Sequence, residues 1–277
     1  MKPVVKYQGG KTRELPLIQP YIRSAKRIIE PFCGGAAVSL HANVPSILND
    51  YNSNVVNLYK VLKNKKYFYR LFREVLYIKT LDHDDLEKRY YRARDIINGN
   101  DSDASSSPYD LALSYIIVRQ LCFSGMERYN DKGEFNVPFG HYDKFACNLS
   151  PNHHTFFSKC EIYNEDAVKL IRTFSFKEGD FLFLDPPYLD RLGYSTGDGS
   201  DGLHERLASV LNEIDVPWLL IHSDCDFIRQ SYSECIIDEV GFKYSQNFGK
   251  DKDHSNSNVN HLYVSSGSVT EDVVLLS

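Results

Sequence analysis

Short apolar runs that stop at acids, glycines or prolines form the most regular pattern in the chain. Two lie near the start, KRIIEPF at 26–32 and PSILND at 45–50. Five more follow later, and they are EIYNED, DFLFLD, WLLIHS, CIIDEV and HLYVSS. Helical patterns separate these runs, and such alternation is typical of a mostly parallel sheet with crossover helices. We expect the last run, HLYVSS, to be an antiparallel strand at one edge of the sheet.

The middle of the chain has a different pattern. Residues 53–97 are rich in aromatic side chains at helical spacing, and the run YDLALSYIIVRQLCF resumes that spacing after a polar loop at 98–108. Two short runs then flank Asn130-Asp131-Lys132-Gly133, a sequence that suits a hairpin turn. The sequence therefore predicts a mainly helical segment that ends in a β-hairpin at about 123–140.

The two patterns together predict a domain organisation. We expect an α/β domain made of residues 1–53 and 150–277, split by a helical insert at 54–149. At 277 residues and 42% hydrophobic, the chain is long enough to bury cores of this size.

Composition places the protein in a broad class. The first residues have no apolar segment of signal-peptide length, and no window approaches the roughly 20 apolar residues of a membrane span. Six cysteines lack regular spacing, which favours free thiols over disulfides or a thiolate metal site. We expect a soluble cytoplasmic protein, from a bacterium or a virus-infected cell.

Charge is unevenly distributed. The net charge is −5, yet Lys60 to Arg73 contains four lysines and two arginines without an acid. A second basic cluster spans Lys88 to Arg94. These clusters are either solvated helix faces or a surface that meets phosphates.

Candidate chemistry lies where predicted strands end, because ligands of open α/β sheets bind beyond the carboxyl ends of the strands. Gly34 and Gly35 follow the first strand and allow a ligand to approach the backbone. Asp50 ends the second and can accept both hydroxyls of a ribose, although a helix cap is an equal alternative. The stretch GGKT at 9–12 is not a phosphate-binding P-loop, because that pattern requires a glycine where Val5 stands.

The most specific feature is Asp185-Pro186-Pro187-Tyr188 at the end of the run FLFLD. An amine on an aromatic base is a poor nucleophile, because its lone pair is delocalised into the ring. Two acceptors on its hydrogens, the Asp185 carboxylate and the Pro186 carbonyl, would stabilise the positive charge that develops on alkylation. Tyr188 would stack on the base. A proline-rich turn without chemistry is the less favoured alternative.

Taken together, these segments resemble the Dam-like DNA adenine methyltransferases, in which a cofactor motif precedes the target-recognition segment and the catalytic motif comes last. The matching segments, in family order, are KYQGGK, EPFCGGAAVSL, ILNDYN, FSGMERYNDKGEFNVPFG, NEDAVKLI, FLFLDPPY and VNHLYVS. The resemblance implies a Rossmann-like sheet with helices on both faces. It also implies S-adenosylmethionine (AdoMet) as methyl donor, S-adenosylhomocysteine as product and duplex DNA as substrate.

The resemblance also assigns residues to the cofactor and to catalysis. It assigns to the cofactor Tyr7, Gly9, Gly10, Lys11, Phe32, Gly34, Gly35, Asp50 and Asp166. It assigns to catalysis Asp185, Pro186, Pro187 and Tyr188. Ala36 departs from a more usual glycine, and Tyr7 from the tryptophan of some relatives.

The DNA contacts implied by the resemblance lie mainly in the hairpin, because a two-stranded ribbon fits the major groove. Arg128 matches a guanine-contacting arginine, while Met126 and Pro138 match thymine-methyl contacts. The remaining DNA-binding candidates are Lys6, Phe123, Ser124, which replaces a more usual asparagine, and the turn residue Asn130. The expected target is GATC or a close variant, with the adenine rotated out of the duplex before methyl transfer.

Several alternatives stay open. Methylation of the cytosine amino group is chemically close, but the acid at position 185 speaks against it. A non-catalytic DNA-binding regulator on the same fold is the alternative from another class. We expect no metal site, with His153 and His154 at the surface, and a monomer or weak dimer. The stretches 195–202 and 249–258 are candidates for lids or DNA-contacting loops.

Overall fold

A mixed sheet of seven strands organises the protein. The computed structural model describes residues 1–101, 107–189, 202–244 and 257–266. The strands in these residues are β1 Arg27–Glu30, β2 Ser46–Asn49, β3 Glu161–Tyr163, β4 Asp180–Leu184, β5 Trp218–Ser223, β6 Ile236–Tyr244 and β7 Ser257–Ser265. Their order across the sheet is β3-β2-β1-β4-β5-β7-β6. Every predicted strand is present, which confirms the α/β class.

The sheet is parallel from β3 to β5 and antiparallel at its other end. β1 pairs in parallel with β2 and β4, whereas β7 runs antiparallel to both β5 and β6. The antiparallel direction predicted for HLYVSS is therefore confirmed, but its edge position is wrong. β7 lies between β5 and β6, and the nine-residue pairing of β6 with β7 places β6 at the edge.

Helices surround this sheet. The α-helices of the described residues are α1 Leu15–Ile22, α2 Ala37–Ala42, α3 Ser53–Lys63, α4 Lys65–Ile78, α5 His83–Ile97, α6 Pro108–Leu121, α7 Pro151–Phe157, α8 Ala167–Thr173, α9 Leu203–Glu213 and α10 Asp226–Ser231. In this part of the chain no helix is long and apolar enough to cross a membrane.

The two faces of the sheet are both buried, as the alternation within β4 demonstrates. Phe181 and Phe183 pack in a cluster with residues of α1 and α2. Leu182 and Leu184 point the other way, into a cluster with residues of α8, α9 and α10. Successive side chains of a strand point to opposite faces. The unbroken apolar run is thus explained by helices on both sides, as predicted.

A third buried cluster joins the helical segment to the sheet. It contains residues of α3 to α6 together with Val4, Leu40 and Leu48 from the first part of the chain. Because one apolar cluster spans both regions, the packing draws no boundary between them. The division at residues 54 and 149 stays a prediction.

Two adjacent histidines belong to the packing of this cluster rather than to the surface. His153 is 2% exposed, and its Nε2 lies 2.9 Å from the carbonyl oxygen of Lys2. His154 is half-buried and stacks on Phe68 at 5.2 Å between ring centroids. The surface position expected for them is wrong, because both rings pack against residues that are distant in sequence.

The predicted hairpin is present but irregular. Isolated bridges pair Cys122 with Phe139 and Tyr129 with Phe135. The turn lies where the sequence predicts it, with the Gly133 N–H donating to the Asn130 carbonyl at 2.8 Å. Gly133 has a φ of 76°, a left-handed conformation that glycine adopts without strain.

Candidate active site

Three neighbouring strand ends bring the predicted site residues together. β2, β1 and β4 are adjacent and parallel, so Asp50, Gly34 and Asp185 all follow strand ends at one edge of the sheet. The Gly34 N–H donates to Asp50 Oδ2 at 2.8 Å, which links the turn after β1 to the end of β2. The Asp50 Oδ1 accepts the backbone N–H of Asn52 at 2.9 Å.

The glycine turn after β1 is tightly packed against an aromatic ring. Gly34 has a φ of 44°, and a Cβ there would lie 2.6 Å from Cε1 of Tyr7. At Gly35 a Cβ would lie 3.2 Å from the Tyr7 Cβ. The hydroxyl of Tyr59 donates to the Gly34 carbonyl. Tyr59 is on α3 and lies in no motif, so this contact could not be predicted beyond a buried helical face.

The segment before α1 places a lysine beside the catalytic candidate. A turn closes where the Gly10 N–H donates to the Tyr7 carbonyl at 3.2 Å, and Gly9 in that turn has a φ of 75°. Lys11 follows and is 4% exposed, and its Nζ lies 2.7 Å from Asp185 Oδ1. The same Nζ lies 5.2 Å from the centroid of the Tyr188 ring.

A buried acid supports this lysine from the other side. Glu14 lies 4.0 Å from the Lys11 ammonium, and its Oε2 accepts the hydroxyl of Tyr263 at 2.7 Å and lies 3.1 Å from His261 Nδ1. Burial would raise the pKa of Glu14, but the bond from His261 and the charge of Lys11 outweigh it and lower that pKa. Sequence reasoning missed Glu14 and His261, which are 247 positions apart.

Three acids at the strand ends have raised pKa values. Burial raises the pKa of Glu30, the last residue of β1, to about 7, and the charge of Asp185 adds to the effect. Burial likewise raises the pKa of Asp50 to about 6, against the two N–H groups that donate to it. Burial raises the pKa of Asp185 too, while Lys11 opposes that rise.

The turn after β4 is held by histidines. The Pro187 carbonyl oxygen lies 2.9 Å from His204 Nε2, and the Leu189 N–H donates to His222 Nε2 at 3.2 Å. Tyr188, between them, is half-buried and its ring centroid lies 4.8 Å from that of His222. Pro186 is buried. The sequence analysis did not single out either histidine.

Two other cofactor candidates have structural partners of their own. Phe32 is half-buried and packs against the cluster that contains α8 and α9. Asp166 caps α8 by accepting the Lys169 N–H at 2.7 Å, and one oxygen lies 3.2 Å from Arg206 NH1. With its side chain 42% exposed, the Asp166 carboxylate is open to a ligand at the end of β3.

The candidate DNA-contacting residues lie on exposed parts of the hairpin segment. Phe123 has a large apolar side chain, yet it is 47% exposed. Ser124, Arg128 and Pro138 are exposed as well. Met126 is half-buried against the helical cluster. These residues thus present side chains to solvent on one irregular ribbon.

The other two DNA-binding candidates have defined contacts. Lys6 donates to the Gln120 carbonyl at 2.9 Å and its ammonium lies 4.2 Å from the centroid of the Tyr142 ring. Asn130 organises the turn, because its side chain accepts the N–H groups of Lys132 and Glu134 at 3.0 and 2.9 Å.

A buried arginine missed by sequence reasoning joins the hairpin to the first segment. The Arg119 side chain is fully buried and donates to the carbonyl oxygens of Lys6, Gly125 and Met126. Its guanidinium also lies 3.3 Å from the carboxylate of Glu127, which in turn accepts the side-chain N–H of Asn52 at 3.1 Å. Two segments with DNA-contacting candidates are therefore fixed to one side chain.

Some expectations fall outside the described residues. The candidate lid at 195–202 is described only at Gly202, and that at 249–258 only at its last two residues. Among the residues that are described, no group of three or more His, Cys, Asp or Glu side chains could hold a metal ion.

The chain is similar over most of its length to proteins of known type. Residues 7–266 match the family described as D12 class N6 adenine-specific DNA methyltransferase. The chain is 32% identical over 278 residues to the Type II methyltransferase M.CviBI of Paramecium bursaria Chlorella virus NC1A, with 95% of this chain and 99% of that protein covered. It is 28% identical over 253 residues to a DNA adenine methylase of Serratia marcescens, covering 84% of this chain and 87% of that protein.

A family match of this extent includes the glycine turn, Asp50, the hairpin and the turn after β4 in one alignment. It favours the enzymatic alternative over a DNA-binding regulator, and adenine over cytosine as the acceptor. The chain belongs to the D12 class of N6 adenine-specific DNA methyltransferases.

Proposed function

We propose that the protein transfers a methyl group from AdoMet to the amino group of an adenine rotated out of duplex DNA, in GATC or a close variant. The observation that supports this most directly is the position of Asp185. It follows β4 directly beside the glycine turn of β1, and its carboxylate is paired with a buried lysine.

The electrostatics of the strand ends fit a cationic donor. Burial raises the pKa values of Glu30, Asp50 and Asp185, so ionisation of each costs free energy in the folded protein. A sulfonium placed among these carboxylates would favour their charged forms. AdoMet supplies a methyl group on such a sulfonium, activated for direct displacement.

The residues that would hold the donor surround this edge of the sheet. The tight turn at Gly34 links the ends of β1 and β2, and Asp50 has lone pairs beyond the two N–H bonds it accepts. The proposed set is Tyr7, Gly9, Gly10, Lys11, Phe32, Gly34, Gly35, Asp50 and Asp166.

Asp185, Pro186 and Tyr188 act on the acceptor. The carboxylate and the Pro186 carbonyl accept the two hydrogens of the amino group, which draws the nitrogen toward tetrahedral geometry and stabilises its developing positive charge. Tyr188 stacks on the base, and Pro187 makes the turn rigid. Lys11 favours the ionised form of Asp185, which is the stronger hydrogen-bond acceptor.

The adenine must leave the helix, because its amino group is engaged in pairing within the duplex. Unstacking and unpairing cost a few kcal/mol, which binding of the extruded base and its partners must offset. The exposed ring of Phe123 is suited to fill the space that the base leaves, since an apolar side chain inserted into the stack restores part of the lost contact.

Recognition is assigned to the hairpin and Lys6. Arg128 is exposed, and a guanidinium can bond both acceptors of a guanine in the major groove. Met126 and Pro138 provide apolar contacts for thymine methyl groups, Ser124 and Asn130 offer polar atoms, and Lys6 can reach a second guanine. Several relatives of this chain are named DNA adenine methylase, which supports adenine in DNA as the acceptor.

The test uses methyl-tritiated AdoMet with two duplexes that differ only in GATC or GTTC at the centre. We expect label in N6-methyladenine from the GATC duplex and at least tenfold less from the other, which corresponds to about 1.4 kcal/mol of discrimination. Equal labelling would refute the target sequence. Asp185→Asn keeps the shape of the side chain but removes its charge, so transfer within tenfold of wild type would refute its role.

Base extrusion needs a separate measurement. A duplex with 2-aminopurine in place of the target adenine should gain fluorescence on binding, because the unstacked base is no longer quenched. A duplex with 2-aminopurine four positions away is the matched control. No difference between the two duplexes would argue against base flipping.

A further inference from the structure

The peptide groups on either side of Tyr188 are each bonded to a different buried histidine. On one side the Pro187 carbonyl oxygen lies 2.9 Å from His204 Nε2. On the other the Leu189 N–H donates to His222 Nε2 at 3.2 Å. We propose that His204 and His222 are positioning residues that set the orientation of the Tyr188 ring, and with it the place where the acceptor base stacks.

The two histidines come from elements that approach the turn from behind. His204 lies in the first turn of α9 and is 5% exposed, while His222 is in β5 and fully buried. Their rings meet edge to face at 5.0 Å between centroids. The imidazole pair therefore forms a rigid support, because neither ring can rotate without displacing the other in a close-packed interior.

Tyr188 packs directly on this support. Its ring centroid lies 4.8 Å from that of His222, and the ring of His261 meets it edge-on at 5.4 Å. Two backbone bonds and two ring contacts thus determine where the tyrosine points. A motif of two prolines fixes the backbone before Tyr188, but it leaves the Tyr188–Leu189 peptide to be fixed by His222.

The partners assign the tautomers. A carbonyl only accepts, so His204 has its hydrogen on Nε2 toward Pro187. An N–H only donates, so His222 Nε2 is bare toward Leu189, and its Nδ1 hydrogen faces the Ser223 carbonyl oxygen at 2.8 Å. Both rings are then neutral, and burial lowers the pKa of His204 in support of that form.

Neither histidine is placed to act on substrate directly. Through Nε2 both bond backbone atoms of the turn, whereas the Asp185 carboxylate is paired with Lys11. The role is therefore indirect and consists of geometry. This inference rests on the proposed function only in so far as Tyr188 stacks on the acceptor base.

Replacing each histidine with asparagine or with glutamine distinguishes the hydrogen bond to the turn from the packing of the ring. The two residues have the same amide group but differ in side-chain length. An asparagine amide ends near the place of Nδ1, whereas a glutamine amide ends near Nε2. We therefore expect His204→Asn and His222→Asn to lose the turn bonds and His204→Gln and His222→Gln to keep them. His153→Asn is the matched control, since His153 is 2% exposed and bonds the Lys2 carbonyl through Nε2 at 2.9 Å.

Single-turnover methyl transfer on the GATC duplex is the first measurement. We expect the two asparagine variants to be slower by about tenfold or more, since small misplacements of reacting groups have effects up to about a hundredfold. Dissociation constants for AdoMet and DNA should stay within about threefold, and the glutamine variants should recover most of the rate. The proposal would be overturned if the asparagine variants kept the wild-type rate. It would also be overturned if the asparagine and glutamine variants lost rate equally, or if His153→Asn lost as much rate as they do.

The second measurement does not depend on activity. Tyr188-Leu189 is the sole Tyr-Leu pair in the sequence, so labelling with carbonyl-13C tyrosine and 15N leucine isolates the Leu189 amide in NMR spectra. We expect its hydrogen exchange to be slow in wild type and His222→Gln and about tenfold or more faster in His222→Asn. Equal exchange in all three would overturn the role of His222. If wild type transfers no methyl group but the amide behaves as expected, the proposed function fails and the support of the turn stands.

Discussion

Replacement of two arginines nine positions apart should affect two different properties of the protein. Arg119 is fully buried and joins the first segment to the hairpin, whereas Arg128 is exposed and bonds the side chain of Asn136 at 2.8 Å. Methionine is the replacement in both cases, because it keeps most of the apolar stem while it removes the charge and every donor. We expect Arg119→Met to reduce stability and Arg128→Met to reduce sequence preference.

The magnitude for Arg119 follows from the groups it leaves behind. Its guanidinium donates at 3.1 Å to the Lys6 carbonyl, at 3.0 Å to that of Met126 and at 3.2 Å to that of Gly125. A buried acceptor left without a partner costs about 1–3 kcal/mol. Glu127, whose side chain is 16% exposed, also loses its cation. Removal of one partner from a buried pair costs about 3–5 kcal/mol, and we expect a total in that range because these contributions overlap.

Urea denaturation at pH 7 measures this difference, with DNA binding as a second assay. Arg128→Met should unfold within about 0.5 kcal/mol of wild type, as exposed substitutions do. It should nevertheless lose most of the preference for GATC over CATG, a duplex that moves the guanines and keeps the target adenine, while the salt dependence of binding stays nearly the same. A loss of less than 1 kcal/mol in Arg119→Met, or a larger loss in Arg128→Met than in Arg119→Met, would refute this reasoning.

Three further predictions concern the edge of the sheet. Lys11→Met removes the cation that lowers the pKa of Asp185, so the acidic limb of the kcat profile should move to higher pH, and an unmoved limb would contradict this role. Gly34→Ala should weaken AdoMet binding in calorimetry, because its Cβ would lie 2.6 Å from a ring carbon, whereas Gly133→Ala, with open space and a similarly positive φ, should not. Glu30 has its pKa raised from 4.5 to about 7, so the folded state loses stability as pH rises through that window. Glu30→Gln should therefore unfold at a higher urea concentration than wild type at pH 8 and at about the same concentration at pH 4. An equal increase at both pH values would contradict the raised pKa of Glu30.

The strands could be predicted because each one has a local signature. An unbroken apolar run bounded by turn residues indicates a strand buried on both faces, as in β4 and β5. The order of strands has no such signature. The edge position of β6 depends on where β7 inserts after a long connection, and the pattern of HLYVSS is the same for an edge strand and an interior one.

Motifs likewise revealed only part of the site. The glycine turn and the residues from Asp185 to Tyr188 are contiguous, so their spacing is visible in one line of sequence. The groups that support them are not contiguous, since Glu14 meets Tyr263 across 249 positions. The surface position predicted for His153 was wrong for the same reason, because its partner is Lys2, 151 positions away. Burial of a polar side chain is a property of the packed fold and is not specified by its neighbours in the chain.

The acids at the strand ends explain why a buried lysine is present beside Asp185, the proposed catalytic carboxylate. Desolvation favours the protonated forms of Glu30 and Asp185, and a protonated Asp185 would lose part of its capacity to accept a hydrogen bond from an amine. The Lys11 ammonium, 2.7 Å from Asp185 Oδ1, opposes that tendency. A bound sulfonium would add a second positive charge at the same edge of the sheet, so binding of the donor and ionisation of the acids favour each other. If the donor is AdoMet as proposed, the raised pKa values of these acids would therefore favour binding of the cationic donor over binding of its uncharged product.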